Sequence, residues 1–399
     1  MDILVLDQEF NRKAVIDTYE SLIWTDRYYG YGDFELYLPF NSYVLDMVRQ
    51  DYYLQIADST STMIVESIQI RTDSESGNHL IITGRSLESI LERRVIWPQI
   101  TLSGTIYQAM RTIINDAIIN PTKIKFSNNN TYIKRKIDNF IFEACTDSTI
   151  TGIQLEPTEF TGDIVYEKFL NWCQENEIGF DITFEEEYEY KSGSLPQGYS
   201  EGQKLYNQFV LRLYRGVDRT YEQTDNKFVV FSPTYDNVIS TDYTDDTSPW
   251  RNFAIVAGEG EGSEREVVMY GDVDKDPDTR QYKTVGINHR ELYVDARDVQ
   301  SSELPEGMTY ADALKVRGAE KLNECLKDIQ FYGEVEARRQ FVYGRDFFMG
   351  DIVEITNEYG IQGAARVIEY IHNDTDSGSD VYPTFEAIQN YGYDAEESG

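Results

Sequence analysis

A pattern near residue 65 returns near residue 368. Val65-Glu66-Ser67-Ile68 followed by Asp73-Ser74-Glu75-Ser76-Gly77 is echoed by Ile368-Glu369-Tyr370-Ile371 followed by Asp374-Thr375-Asp376-Ser377-Gly378. Upstream, Tyr52-Tyr53-Leu54-Gln55-Ile56 matches Asp351-Ile352-Val353-Glu354-Ile355. Further upstream, Trp24 with the glycine turn at 30–32 and the segment 34–38 parallels Trp250 with the turn at 258–262 and the segment 267–270. Self-similarity of whole elements constrains a chain strongly, because each copy needs a comparable face to bury. The order turn, strand, helix, strand, hairpin occurs twice. It predicts two related small β-barrels, each closed so that few strand edges are left unpaired. Three copies of such a chain would present six similar surfaces around an axis, the arrangement by which a trimer docks on a hexamer. Chance is the competing reading, since Glu-flanked strands and Asp-Ser-Gly turns are common.

Local periodicity fills in the remainder. Alternation over 33–38, 63–71 and 79–84 reads as strands, the last two joined as a hairpin. Residues 41–50 read as a short helix with Ser42 at its N-cap and Leu45 and Val48 inward. Ile106, Met110, Ile113, Ile114, Ala117 and Ile118 form a helical stripe capped near Ser103 or Thr105. Val165, Phe169 and Trp172 mark a second helix over 163–175. Strands follow at 179–184, 209–214 and 227–232, and the polar stretch 185–207 reads as an extended surface loop. Residues 310–326 give the best helical pattern in the chain, with Ala313, Leu314, Ala319, Leu322 and Leu326 on one side. Strands at 351–355, 366–372 and 381–387 close the chain. The expected fold class is α+β, mainly β. A first barrel domain spans 1–100, a mixed α/β domain 101–240, and a second barrel domain 241–393 with a helical insertion at about 304–335. An acidic tail, 394–399, follows.

Charge narrows the function. The chain has 70 acidic and 36 basic residues, a formal charge of −34. Contact with phosphates needs Lys and Arg clusters, so neither nucleic-acid binding nor attachment to an anionic membrane is expected. Such a surface is soluble, and DNA can also slide past it without sticking. No stretch approaches 18 apolar residues, and the N-terminus shows no signal-peptide pattern, so no membrane insertion by this chain is expected. Cys145, Cys173 and Cys325 are widely spaced and form no CxxC pair, which argues against a disulfide framework or a zinc site. The 30 tyrosines suit half-buried strands and interfaces.

Several segments together resemble siphophage tail hub (tail-associated) proteins. These are Ser21-Leu22-Ile23-Trp24, Gly32-Asp33-Phe34-Glu35-Leu36-Tyr37-Leu38-Pro39, Gly84-Arg85-Ser86-Leu87 and Leu91-Glu92-Arg93-Arg94 in the first part. Later come Gly216-Val217-Asp218-Arg219-Thr220, Phe231-Ser232, Asp236-Asn237, the turn at 258–262 with Arg265, and 290–298. The resemblance implies the central baseplate hub fold of tailed phages: two related barrels flanking mixed α/β domains, assembled as a homotrimeric ring. It implies a structural protein of the virion tail tip, assembled in the host cytoplasm, below a hexameric distal tail ring or tail tube. That ring would continue the channel for tape-measure protein and DNA, and would carry a tip spike or receptor-binding fibre. Some relatives carry a C-terminal wall hydrolase; here the chain stops about ten residues after the last expected strand, and no enzyme is expected. The alternative is a host-glycan-binding or cell-wall-degrading tail tip protein, favoured by the tyrosines, the four tryptophans and the many carboxylates.

The chemical motifs read blandly. Gly258-Glu259-Gly260-Glu261-Gly262 carries two glutamates that would repel phosphate, and a strand rather than a helix follows, so it reads as a tight turn. Asp272-Val273-Asp274-Lys275-Asp276-Pro277-Asp278 alternates carboxylates like a calcium loop. However, Pro277 replaces the required glycine and Lys283 the twelfth-position Glu, so at most weak calcium binding is expected. His79, His289 and His372 fall singly, GxSxG is absent, and Cys173 beside Trp172 reads as buried. No catalytic residue, cofactor site or metal site is expected. Arg85, Arg93 and Arg94 stand out in an acidic chain, either paired with neighbouring carboxylates or lining an intersubunit contact.

Overall fold

The computed structural model describes residues 1–73, 77–123, 125–126, 131–132, 134–190, 202–262, 265–271, 286–304, 308–325, 328–335, 340–360, 362–375 and 378–388. They form an α+β fold dominated by strands and divide into two compact units. The first comprises Met1–Thr241 with Tyr332–Ile388, and the described part of the second lies within Asp242–Phe331.

An eleven-stranded sheet organises the first unit. It runs through Arg12–Ile16, Ile3–Leu6, Tyr53–Ile56, Met63–Asp73, Gly77–Ser86, Asp33–Pro39 and Ser21–Arg27, and then reaches Gln362–Thr375. Alternation produces the expected one-sided burial: Phe34, Leu36 and Leu38 are buried and Glu35 exposed. Gln362–Thr375 pairs along one edge with Gly378–Ala387. Its other edge pairs first with Ile352–Thr356, through 362–366, and then with Ser21–Arg27, through 369–375. The change of partner coincides with a bulge between Val367 and Glu369. A bulge bends a strand and increases its twist, so one edge can serve two neighbours in succession.

Part of the internal echo is a repeat of backbone geometry. In each copy a short strand (Tyr53–Ile56; Ile352–Thr356) pairs antiparallel with the first strand of a long hairpin. Each hairpin carries one bulge, between Val65 and Ser67 in the first and between Val367 and Glu369 in the second. Each short strand is entered through a residue of positive φ, Asp51 at 63° and Gly350 at 85°. Their amides donate to the carbonyls of Val65 and Val367, both at 2.8 Å. Val65 and Val367 in turn donate to Tyr52 and Asp351, at 2.8 and 2.9 Å. Val65 therefore corresponds to Val367, one residue away from the match of Val65 with Ile368 read from sequence.

The upstream half of the echo does not share this geometry, because Val267–Gly271 and the turn after Phe253–Ala257 belong to the second unit. No barrel closes among the described residues either. Both copies lie in one eleven-stranded sheet, joined where Gln362–Thr375 pairs with Ser21–Arg27.

The helices of the middle segment form as their apolar spacing requires. Ile106–Ile114 is capped by Thr105, whose Oγ1 accepts from the amide of Gln108 at 3.2 Å, and continues through Asn115–Ile119. With Val165–Glu175 it buries Met110, Ile113, Phe169 and Trp172 against Phe140, Phe180 and Leu211 of a three-stranded sheet. Two local expectations change. Asn41, not Ser42, caps Ser42–Met47, its side chain accepting from Tyr43 at 2.9 Å. The stretch 185–207 is no loop in its described part: Gly179–Tyr190 and Gly202–Tyr214 pair antiparallel out to Tyr190 and Gly202, with one shift of register between Glu187 and Tyr188. Glu185-Glu186-Glu187 offers no apolar period to read, yet backbone pairing begun by the buried Phe180 and Ile182 continues through it.

The chain leaves the first unit along Val238–Asp246 and returns along Asp328–Val335, and these strands pair with each other. The described part of the second unit contains a three-stranded sheet, ordered Val267–Gly271, Phe253–Ala257, Glu291–Asp295, with the helix Tyr310–Asn323 on it. Leu314 and Gly318 are buried on the helix, while Leu322 packs at the margin. A Cβ at Gly318 would press on Val256 and Tyr270, so glycine sets how closely helix and sheet approach. Of the expected insertion at 304–335, residues 305–307 and 326–327 lie outside the described residues, as does the tail 394–399.

Candidate functional site

The three singled-out arginines end in different environments. Arg85 lies near the end of Gly77–Ser86 and is forked onto Glu66, with Nε and Nη2 at 2.7 and 2.9 Å from its two oxygens. Its Nη1 donates to Glu92 at 2.7 Å, and the guanidinium lies 4.6 Å from the centre of the Tyr31 ring. The hydrogen bond to Glu66, above all, holds its pKa well above the ordinary arginine value. Arg93 is exposed and reaches Asp51 at 3.2 Å and Glu66 at 3.7 Å. Glu66 thus brings Arg85 and Arg93 together within the chain. Arg94 makes no ion pair among the described residues. It donates to the carbonyls of Arg93 and Arg135 at 2.9 and 3.2 Å, and Arg135 donates to Val95 at 2.9 Å. Burial, then the charges of Arg135 and Arg93, lower its pKa.

The other sequence candidates stay apart. In the glycine turn, Gly260 and Gly262 have φ of 98° and 59°, and Arg265 folds back to donate to Gly258 and Ala257, both at 2.7 Å. The amide of Glu259 donates to the Tyr310 hydroxyl at 2.6 Å, so the turn is tied to its own helix. The carboxylate loop 272–278 lies outside the described residues. Among those described, no group of His, Cys, Asp and Glu is arranged to hold a metal ion. His79, His289 and His372 lie near different carboxylates, at 3.3, 3.2 and 3.9 Å. Burial pushes the Cys173 thiol up, which removes it as a nucleophile.

Sequence reasoning missed a cavity of about 790 Å³ in the first unit. It opens beside the join between Ser21–Arg27 and Gln362–Thr375, and Asp26, Asp181, Tyr214, Tyr343, Asp351 and His372 are among its walls. Asp26 accepts from the Ser59 hydroxyl at 2.9 and 2.8 Å and from the Trp24 indole at 3.3 Å, with His372 Nε2 at 3.9 Å. Burial is the main influence on its carboxyl and raises the pKa against those partners. Asp181 has a buried Oδ1 without a hydrogen bond. Burial, opposed by Arg212 and assisted by Glu143 and Glu185, pushes its pKa up to about 6. Asp351 is neutralised: Arg219 Nε lies 2.5 Å from one oxygen, and the amides of Val217 and Phe348 donate to the carboxylate at 2.8 and 2.9 Å. Tyr343 stacks on Tyr370 with ring centres 3.7 Å apart. These residues come from separate segments and share no motif, so no local signal announces them.

Comparison with known proteins adds the family. A family model described as the Siphovirus ReqiPepy6 Gp37-like protein matches residues 2–385. No curated protein sequence matches the chain. Among solved structures, the 43 kDa tail protein of prophage MuSo2 from Shewanella oneidensis is similar, with a TM-score of 0.54 and 12% identity over 97% of this chain and 98% of that one. The tail protein from Neisseria meningitidis MC58 gives a TM-score of 0.52 and 14% identity over 96% of both chains. The chain belongs to the Siphovirus ReqiPepy6 Gp37-like family and has the fold of phage tail proteins.

Proposed function

We propose that this chain is the structural hub at the distal end of a phage tail. Three copies form a ring that joins the hexameric tail tube or distal tail ring to a tip spike or fibre. The ring continues the channel for tape-measure protein and DNA. The observation that carries this reading is the duplicated sheet geometry at Asp51 and Gly350 within a tail-protein fold that spans nearly the whole chain. Two equivalent elements per chain give a trimer six like positions, which matches a sixfold partner.

The charge supports the same role. DNA carries about one negative charge per 1.7 Å of axis, and an acidic wall keeps its passage weakly repulsive. Each copy brings a formal charge of −34, so the contacts between copies need cations. Of the three arginines, Arg94 is the one we place at such a contact, since Arg85 and Arg93 are occupied by internal carboxylates. No helix among the described residues is long and apolar enough to cross a membrane. The test is electron microscopy of the assembled particle with this subunit labelled. Label confined to the distal end, with threefold symmetry, is the expected result; label along the shaft or at the head end overturns the reading. Turnover of purified peptidoglycan, abolished by one carboxylate substitution, would instead favour the wall-degrading alternative.

A further inference from the structure

We infer that Arg94 and Arg135, with the exposed Val95 and Trp97 beside them, receive a carboxylate-bearing segment of a neighbouring copy of this chain. The inference rests on the proposed assembly of several copies, and it names the face and the chemistry through which they meet.

Between Asp116 and Asp138 the sequence holds five basic residues, Lys123, Lys125, Lys134, Arg135 and Lys136, and no acidic one. In a chain with 70 acidic and 36 basic residues, such a stretch reverses the local charge. The fold adds Arg94 to it. Arg94 donates to the carbonyls of Arg135 and Arg93 at 3.2 and 2.9 Å, and Arg135 donates to that of Val95 at 2.9 Å. Carbonyl oxygens carry no formal charge, so these bonds orient the two guanidiniums without neutralising them. Neither makes an ion pair among the described residues, whereas the adjacent Arg93 has Asp51 at 3.2 Å and Glu66 at 3.7 Å. Burial and the charges of Arg135 and Arg93 all lower the Arg94 pKa, and no carboxylate opposes them.

This charge is within reach of a partner. Both side chains are half-buried, and their bonds to the Arg93 and Val95 carbonyls lie at the exposed surface. Nε of Arg94 and Nη1 of Arg135 are buried without a partner. A carboxylate therefore approaches Nη1 of Arg94 and Nη2 of Arg135, each of which has a second N–H beyond the one its carbonyl uses. Lys134 and Lys136 flank Arg135 in sequence, are 81% and 50% exposed, and reach Asp138 only at 3.7 and 3.5 Å. Exposed pairs of this kind contribute little and give way to a better partner.

The surroundings suit a protein segment. Val95 and Trp97 are 43% and 51% exposed. Ile96, Trp97, Ile100, Ile113 and Ala117, with Asp116, line a small pocket of about 110 Å³. An apolar cavity of about 150 Å³ holds benzene, so this one has room for an aliphatic side chain. Trp and Arg together are typical of the centres of protein interfaces. Copies that each carry a formal charge of −34 repel one another, and they can meet only where the local charge is reversed. The rest of a second copy supplies carboxylates in excess. A nucleic-acid strand answers the same charge but brings no aliphatic side chain to the pocket.

The test uses the full chain, mixed as isotope-labelled and unlabelled copies and crosslinked with a zero-length carbodiimide that joins amines to carboxylates. Crosslinks from Lys134 or Lys136 of one copy to Asp or Glu of another are expected. Crosslinks between copies that avoid the segment 123–136 overturn the inference. In a second arm, Arg94→Gln with Arg135→Gln keeps amide donors for the three carbonyls, and an unchanged urea midpoint at low concentration shows that the fold is kept. Light scattering should then show half-association at a concentration at least about tenfold higher than for the wild type. Unchanged association of the double variant overturns this inference and leaves the ring standing, whereas a wild type monomeric at every concentration overturns both. Binding of single-stranded DNA at physiological salt, lost in the double variant, overturns it in favour of a nucleic-acid surface.

Discussion

Replacing Glu88 with Gln should flatten the pH dependence of stability between pH 5 and 8. Glu88 lies in the tight turn Leu87–Arg93 and is 4% exposed. Its Oε1 accepts from the amide of Ile182 at 2.6 Å, and its Oε2 accepts from the Ser86 hydroxyl. Burial outweighs both bonds and lifts its pKa from 4.5 to about 7. The folded state therefore holds the proton more tightly than the unfolded chain does. The associated stability is fully present below pH 4.5 and is lost as the pH rises through about 7. At 1.36 kcal/mol per unit, the swing is about 3 kcal/mol. Glutamine imitates the protonated acid: its oxygen can accept from Ile182 and its amide can donate to Ser86. Urea unfolding at pH 5 and pH 8 measures the swing in each protein. The wild type should lose about 2.5 kcal/mol more than the variant between the two values, since part of the swing lies below pH 5. Asp181 titrates in the same window but is present in both proteins, so it largely cancels. Equal slopes in the two proteins would refute the reasoning.

Two further substitutions test other parts of the account. Gly350→Ala places a Cβ against the Tyr28 ring at a φ of 85°, and should cost about 2 kcal/mol or more by urea unfolding. A cost below about 0.5 kcal/mol would show that the repeat does not depend on this backbone turn. Arg85→Ala should cost about 1–2 kcal/mol, because it removes a forked carboxylate contact and the Tyr31 stack, whereas Arg93→Ala should stay within about 0.5 kcal/mol. The reverse ranking would contradict the placement of Glu66 between them.

The helices were legible because their apolar spacing had one interpretation. Met110, Ile113, Phe169 and Trp172 read as inward and are buried. The hairpin beyond Phe184 was not, since its continuation rests on backbone bonds that glutamates neither favour nor prevent. The late half of the repeat could be read from its strand, hairpin and turn, but its register could not. Val65 and Val367 are matched by a bulge and a positive-φ entry that two different residues, Asp51 and Gly350, supply. The upstream echo misled because a tryptophan followed by a glycine turn carries no information about strand partners. The pairing that joins the two copies, Ser21–Arg27 with Gln362–Thr375, links strands far apart in sequence, and no local pattern signals it. The cavity was invisible for a related reason: its carboxylates become neighbours only through long-range pairing.

The central claim is that the chain acts as a threefold ring, and its mass in solution tests that most directly. Native mass spectrometry, with light scattering over a wide range of protein concentration, measures it. The account predicts a species of three 46.2 kDa chains that dissociates on dilution and forms less readily when Arg94 is replaced by Glu. A monomer at every concentration, or a closed assembly whose copy number is not a multiple of three, would contradict it.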